Sequence, residues 1–187
     1  MSINNKELLI YGAGEHGEVI YELAIDLGYT VIKFIDDRSS KNQIRGIDVI
    51  SSNDFMTNYS HVNIAIAIGN NKIRKEIFMN LKDKCCSFLN LIHPNASVSK
   101  STKLGSGTVI LNGAIIGPNV QIGSACIVNT STIVEHNSTI ENFVHLSPAV
   151  IVGANAKIGE MSHLNMGTIV NRSCHVDSFS ETKIGTI

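Results

Sequence analysis

The hydrophobic rhythm of the chain changes near residue 95. Before that point apolar runs alternate with amphipathic stretches. "ELLIYG" (7–12) reads as a buried strand, and "EHGEVIYELAIDLG" (15–28) as a helix with Val19, Leu23 and Leu27 on one face and Gly28 at its end. "TVIKFID" (30–36) is a second strand, "IRGIDVI" (44–50) a short extended excursion and "NDFMTN" a short helix. "VNIAIAIG" (62–69), "NKIRKEIFMNL" (71–81) and "CSFLNLI" (86–92) follow as strand, helix and fourth strand. Such βαβ alternation predicts a small parallel sheet.

From Val98 an aliphatic residue recurs at every sixth position, through Ile116, Val134 and Val152 to Val176, fourteen times in succession. Four positions after each comes a small residue, among them Thr102, Thr108, Ala114, Cys126, Ser138, Ser162 and Cys174. Two interlocked columns at one period predict a hexapeptide parallel β-helix, with about 18 residues to each triangular coil. Cys126 and Cys174 are expected to fill small inward slots. Beyond Ser180 the aliphatic register stops: Thr182 occupies the next slot, and Ile184 and Ile187 lie off it. "ETKIGTI" lacks the polar outer face of a solenoid cap, so this end is naturally short, docks on another subunit or is cut from a longer chain.

The change of period divides the 187 residues into 1–95 and 96–187. A net charge of −1 supplies no basic field, which argues against nucleic acid and against an anionic membrane surface. Neither a signal peptide nor an apolar run long enough to span a membrane is expected, and the cytoplasm is the default. Cysteines 85, 86, 126 and 174 have no metal-ligand spacing; all four read as reduced thiols, and no metal is expected.

"YGAGEHG" sets Gly12, Gly14 and Gly17 between the first strand and helix in G-x-G-x-x-G spacing, and Asp36 ends the second strand. Glycines permit close backbone approach to a phosphate at a helix N-terminus, and a carboxylate at that strand end accepts hydroxyl hydrogen bonds. The unit is too short for both mononucleotide halves of an NAD site, so a nucleotide or nucleotide-sugar diphosphate fits better, with His16 in reach. The same glycines also serve plain helix–sheet packing. Gly69, Asn70 and Asn71 form a second loop at a strand's C-terminal end, where open sheets bind ligands. Lys72, Arg74 and Lys75 are expected on a solvated face.

"YGAGEHG", "FIDD", "AIGNNKIRK" and "NLIHPNASVS", followed by hexapeptides with "NTSTIVEHNSTIENFVHLSP", resemble the sugar acyltransferase family that modifies nucleotide-linked amino sugars and sialic acids. The likeness implies a Rossmann-like α/β domain followed by a left-handed β-helix, assembled as a homotrimer that binds acetyl-CoA between subunits. It implies a UDP-4-amino-sugar N-acetyltransferase of surface glycan synthesis; the alternatives are a sialic acid O-acetyltransferase and a nucleotide-sugar-binding or partner-stabilising protein with an impaired transferase site. By resemblance His136 is the general base with Asn137 beside it. His145, Ala154 and Met166 face acetyl-CoA, and Asn129 faces the acceptor. Gly14, Glu15 and His16 contact phosphate and sugar, with Gly69 and Asn70 on the neighbouring loop. Asp36 and Asp37 lie on the nucleoside side.

The chain departs from the family pattern at several positions. Asn137 stands where the family usually has Asp or Glu, and an amide orients a histidine without lending it charge. Asn119, Asn137 and Asn155 are one coil apart and also fit a ladder without catalytic meaning. His145 and His163 share a column too, and fit either a cofactor contact or a packing stack. Ala149, Met161 and Asn165 replace usual glycines.

Overall fold

The computed structural model describes residues 6–84 and 86–186. The readings of Cys85 as a reduced thiol and of Ile187 as an off-register aliphatic lie outside the described residues. The chain separates into two compact units, Met1–Leu91 and Ile92–Ile187.

The first unit runs β1 (Glu7–Tyr11), α1 (Glu15–Asp26), β2 (Thr30–Ile35), β3 (Gln43–Ile44), β4 (Ile47–Ile50), α2 (Ser52–Asn58), β5 (Asn63–Ile66), α3 (Asn71–Leu81) and β6 (Ser87–Phe88). The sheet order is β3-β4-β2-β1-β5-β6, and every pair is parallel except β3 with β4. Leu8, Leu9 and Ile10 of the central strand are fully buried, as a continuous apolar run between two covered faces requires. The extended excursion is a β-hairpin. Arg45 and Gly46 both have positive φ (50° and 77°), the conformation that a two-residue turn needs to match strand twist.

Two details of the sequence reading change. On α1 the buried face is Gly17, Ile20, Leu23 and Ala24, while Val19 is 46% exposed. The face advances by three and four residues from Gly17, which turns Val19 outward. The expected fourth strand 86–92 is two strands. Ser87–Phe88 joins the α/β sheet beside β5, whereas Leu91–Ile92 already pairs into the β-helix. The period shows this in hindsight, because Ile92 and Ala96 extend both hexad columns backward.

The second unit is a parallel β-helix whose two-residue strands stack into three five-stranded sheets, each pairing residues 18 apart. In each strand the second residue points inward. Ile110, Val128, Val134, Ile140, Leu146, Val152, Ile158 and Leu164 have at most 1% exposure. Full burial of such side chains contributes about 1.5–3 kcal/mol each, so the aliphatic column is the main source of stability. Its companion column is more than small. Thr108, Thr132, Ser138 and Ser162 each donate a hydroxyl to the carbonyl fifteen residues on (2.8–3.1 Å), and Cys126 Sγ does the same to Glu141 O at 3.0 Å. Cys126 is buried as expected, but Cys174 is exposed, because it lies on the last full coil described and no further strand stacks on its sheet.

A third column governs the corners. Gly107, Gly113, Asn119, Ala125, Ser131, Asn137, Phe143, Ala149, Asn155, Met161, Gly167, Ser173, Phe179 and Gly185 all have φ between 50° and 74°. Left-handed backbone costs a non-glycine residue about 1–2 kcal/mol, with Asn the most tolerant after Gly. That conformation is offset here by a corner hydrogen bond, such as Asn137 N–H to Pro118 O at 2.9 Å. The column also shows that the register does not stop at Ser180. Glu181 bridges to His163, Gly185 keeps the left-handed corner, and Ile169 N–H donates to Thr186 O at 2.7 Å. Thr182 holds the aliphatic slot because its hydroxyl bonds Asn165 N–H (2.9 Å) and Thr168 Oγ1 (2.8 Å).

Candidate active site

In the α/β unit, the loops that follow β1, β2 and β5 leave the same end of neighbouring parallel strands. There an open sheet forms its ligand crevice. The three glycines of the first loop have different reasons. A Cβ on Gly12 would lie 2.6 Å from Ala67 O, and one on Gly17 2.3 Å from Gly12 O, so both are demanded by packing. A Cβ on Gly14 would meet nothing within 4 Å. Gly14 is also the N-cap of α1 and offers no side-chain cap, which leaves the helix N-terminus open to an anion.

His16 sits in the first turn of that helix. Burial, and then the nearby Arg74 guanidinium, hold its imidazole down to a pKa of about 4, so it is neutral at physiological pH. Its Nε2 is buried without a hydrogen-bond partner among the described residues, a polar atom left for a ligand. Glu15, next to it, is exposed. Arg74 was expected on a solvated face and is instead 1% exposed. Its guanidinium donates to Ile68 O and Gly69 O, both at 2.9 Å, and to Asn71 Oδ1 at 2.6 Å, and so pins the loop after β5. Burial of a charge is tolerated because these carbonyl acceptors surround it. Nothing in the spacing of "NKIRK" separates the pinned arginine from its solvated neighbours.

The polar residues proposed from the sequence for this crevice have structural duties too. Asp36 Oδ2 accepts Ala13 N–H at 2.9 Å and its Oδ1 accepts Arg38 N–H at 2.8 Å, which ties the glycine loop to β2. Asp37 Oδ1 accepts Ser52 N–H at 2.8 Å at the start of α2. Asn70 caps α3 through Ile73 N–H at 3.1 Å, beside Gly69. Tyr11, at the end of β1, has its hydroxyl pushed up by burial, with Asp37 and Asp36 adding to the effect.

On the β-helix, His136 and Asn137 form the corner after strand Ile133–Val134, and both are exposed. The Asn137 amide nitrogen is 3.1 Å from His136 Nδ1. The asparagine ladder exists: Asn119 Nδ2 donates to Asn137 Oδ1 (3.2 Å) and Asn137 Nδ2 to Asn155 Oδ1 (3.4 Å). Ala154 stands one coil on from His136, at the same corner, and Asn155 N–H donates to His136 O at 3.1 Å. The backbone of that corner also approaches closely, since a Cβ on Gly117 would lie 2.8 Å from His136 N.

The other residues lie elsewhere on the triangle. His145 opens strand His145–Leu146, whose sheet is the face opposite the His136 corner. Its ring stacks on His163, with centroids 4.5 Å apart and planes 6° from parallel, and His163 Nε2 is 3.0 Å from Ser147 Oγ. The packing stack is therefore present. Asn129 and Met166 lie at the corner between that face and the Ile133 face; Met166 is 49% exposed, and Asn129 Oδ1 accepts Thr130 N–H at 2.8 Å. Between the two corners runs an outward apolar column, Ile115, Ile133, Ile151 and Ile169, with Ile115 49% exposed. The sequence reading missed this column, although its members precede every third residue of the inward aliphatic column.

Residues 7–81 match the family described as PglD N-terminal domain, and residues 90–182 the one described as GMPPB C-terminal domain. Among solved structures, the acetyltransferase domain of PglB from Neisseria gonorrhoeae, in complex with acetyl coenzyme A, is 34% identical, with a TM-score of 0.93 over 98% of this chain and 91% of that one. The chain belongs to the hexapeptide-repeat sugar N-acetyltransferase family. The family's fold is accordingly its own: a short α/β unit followed by a left-handed parallel β-helix. PerB from Caulobacter crescentus, in complex with CoA and GDP-perosamine, is 26% identical with a TM-score of 0.87, over 99% of this chain and 89% of that one. UDP-N-acetylbacillosamine N-acetyltransferase of Bacillus subtilis is 35% identical over 111 residues, 57% of this chain and 51% of the relative. GDP-perosamine N-acetyltransferase of Escherichia coli is 29% identical, covering 54% of this chain and 49% of the relative. The chain thus spans about half the length of the curated relatives that it matches.

Proposed function

We propose that this protein transfers an acetyl group from acetyl-CoA to the amino group of a nucleotide-linked 4-amino sugar, as a cytoplasmic homotrimer. The observation that carries the reading is His136: an exposed imidazole at a β-helix corner, oriented through Nδ1, in a chain 34% identical to an acetyltransferase domain solved with acetyl coenzyme A.

The α/β unit takes the nucleotide. Gly14 lets a diphosphate approach the open N-terminus of α1, His16 offers the buried Nε2, and the carboxylates of Asp36 and Asp37 retain lone pairs for ribose hydroxyls. Support for the trimer comes from the apolar Ile115–Ile133–Ile151–Ile169 face, which a second copy would cover. A copy packed there brings its Asn129–Met166 corner toward the His136–Ala154 corner of its neighbour. In that groove His145, Ala154 and Met166 contact acetyl-CoA and Asn129 faces the acceptor sugar. The thioester supplies the activated acetyl group, and its sulfur leaves with the bonding electron pair. In the tautomer that carries its own proton on Nδ1, His136 receives at Nε2 the proton that the sugar amine loses as its lone pair forms the C–N bond, and returns it to the thiolate.

Purified protein is mixed with acetyl-CoA and UDP- and GDP-linked 4-amino sugars, with sialic acid as an O-acceptor, and free thiol is followed. Release with an amino sugar, lost in His136→Ala, is the expected result. A second reading, a nucleotide-sugar binder with an impaired transferase site, is favoured by the Asn137–His136 contact. It wins if the nucleotide sugar binds but neither wild type nor variant releases thiol.

A further inference from the structure

We infer that the asparagine column Asn119–Asn137–Asn155 holds His136 in the tautomer protonated on Nε2, so that the ring presents an N–H where its role as a base needs a lone pair. The inference rests on the proposed transfer for its functional meaning, but not for its structural content.

An amide nitrogen can only donate, whereas an imidazole nitrogen donates or accepts according to its proton. The 3.1 Å contact between Asn137 Nδ2 and His136 Nδ1 therefore makes Nδ1 the acceptor and puts the single proton of the neutral ring on Nε2. A carboxylate at position 137 would do the reverse. It accepts from Nδ1–H, frees the Nε2 lone pair and stabilises the imidazolium that forms when the base takes a proton. The same chemistry operates in serine proteases, where Asn in place of the Asp beside the catalytic histidine inverts the tautomer and leaves the geometry intact.

The ladder couples the direction of the Asn137 amide to that of its neighbours. Asn119 Nδ2 donates to Asn137 Oδ1 at 3.2 Å, so the oxygen faces the preceding coil, and Nδ2 is left for His136 and for Asn155 Oδ1. To turn the amide alone would set Nδ2 against Nδ2 at Asn119 and Oδ1 against Oδ1 at Asn155. Reversal has to run through all three amides together. Asn119 and Asn155 thus act on the ring through Asn137, as positioning residues. All three stand at left-handed corners, with φ of 58°, 60° and 58°, so glycine can replace the amides without backbone strain.

The test is nitrogen NMR of the full chain labelled with 15N-histidine, with His136 assigned by loss of its signals in His136→Gln, alongside acetyl-transfer kinetics. Wild type is expected to show His136 protonated on Nε2, Asn137→Asp on Nδ1, and Asn119→Gly a mixture of both. The kcat of Asn137→Asp should exceed wild type by on the order of ten- to a hundred-fold at unchanged KM. A wild-type ring protonated on Nδ1, or a tautomer that Asn137→Asp leaves unchanged, overturns the inference. If the tautomer switches as described while no variant transfers acetyl, the inference stands and the transferase reading falls.

Discussion

The two units use polar residues in opposite ways. In the α/β unit almost every candidate ligand residue also builds the crevice: Asp36 ties the glycine loop, Asn70 caps a helix, and Arg74 is buried against the carbonyls of the loop that it holds. On the β-helix the columns provide stability at fixed intervals, and His136 sits exposed at a corner where packing asks for no particular side chain. Apart from Gly14, where an added Cβ meets open space, a substitution in the first unit should therefore damage folding and binding together. In the second, the two should separate by column.

The largest separation is expected inside the β-helix. Leu146→Ala, in the inward column, should destabilise by about 2–5 kcal/mol in urea unfolding, through lost burial and a residual cavity. Ile151→Ser, in the outward column, should change the stability of a monomer by less than about 1 kcal/mol while shifting sedimentation from the proposed trimer toward monomer. Equal effects of both on unfolding would erase the distinction between the columns.

Next comes the pH dependence of the α/β unit. Because the folded pKa of His16 lies near 4, below the unfolded value of about 6.5, the unfolded state binds more protons between these values. Its contribution should be fully present above pH 6.5 and fall by roughly 3 kcal/mol as pH drops toward 4. His16→Gln should flatten the stability profile across that window, and an unchanged profile would show that His16 is not held neutral.

The glycines sharpen the comparison on a smaller scale. Gly17→Ala drives a Cβ onto Gly12 O and should cost about 1–3 kcal/mol, whereas Gly14→Ala meets open space, keeps stability and weakens nucleotide-sugar binding in calorimetry. The smallest change is Ala149→Gly. Its φ of 58° favours glycine, so thermal unfolding should show a gain of about 0.5–1 kcal/mol.

How legible each unit was follows from the same contrast. The period of six made the β-helix core readable residue by residue, down to Cys126. The left-handed corner column keeps the same period, but Phe143, Met161 and Ala149 share no chemistry, so only the backbone reveals it. For the same reason Thr182 reads as a broken register, though hydrogen bonds fill the slot of an aliphatic. In the α/β unit the alternation placed β1, α1, β2, β5 and α3, and the glycine spacing marked the loop between β1 and α1. It could not separate Gly14 from its packing neighbours, nor foresee a buried Arg74, because both depend on contacts between residues far apart in the chain. The His136–Asn137 pair was visible from family likeness, but the direction of the amide depends on coils before and after it.

If the acetyl-transfer site is built from two corners of different copies, flanking one apolar face, two inactive variants should complement each other. His136→Ala removes the base at one corner, and Met166→Glu blocks the other at an exposed position. Each should be inactive alone. Co-expressed, random trimers should regain activity at roughly a quarter of their sites, since a subunit with an intact His136 then meets a neighbour with an intact Met166 corner. A mixture as inactive as its parents, in trimers shown to contain both chains, would contradict the shared site.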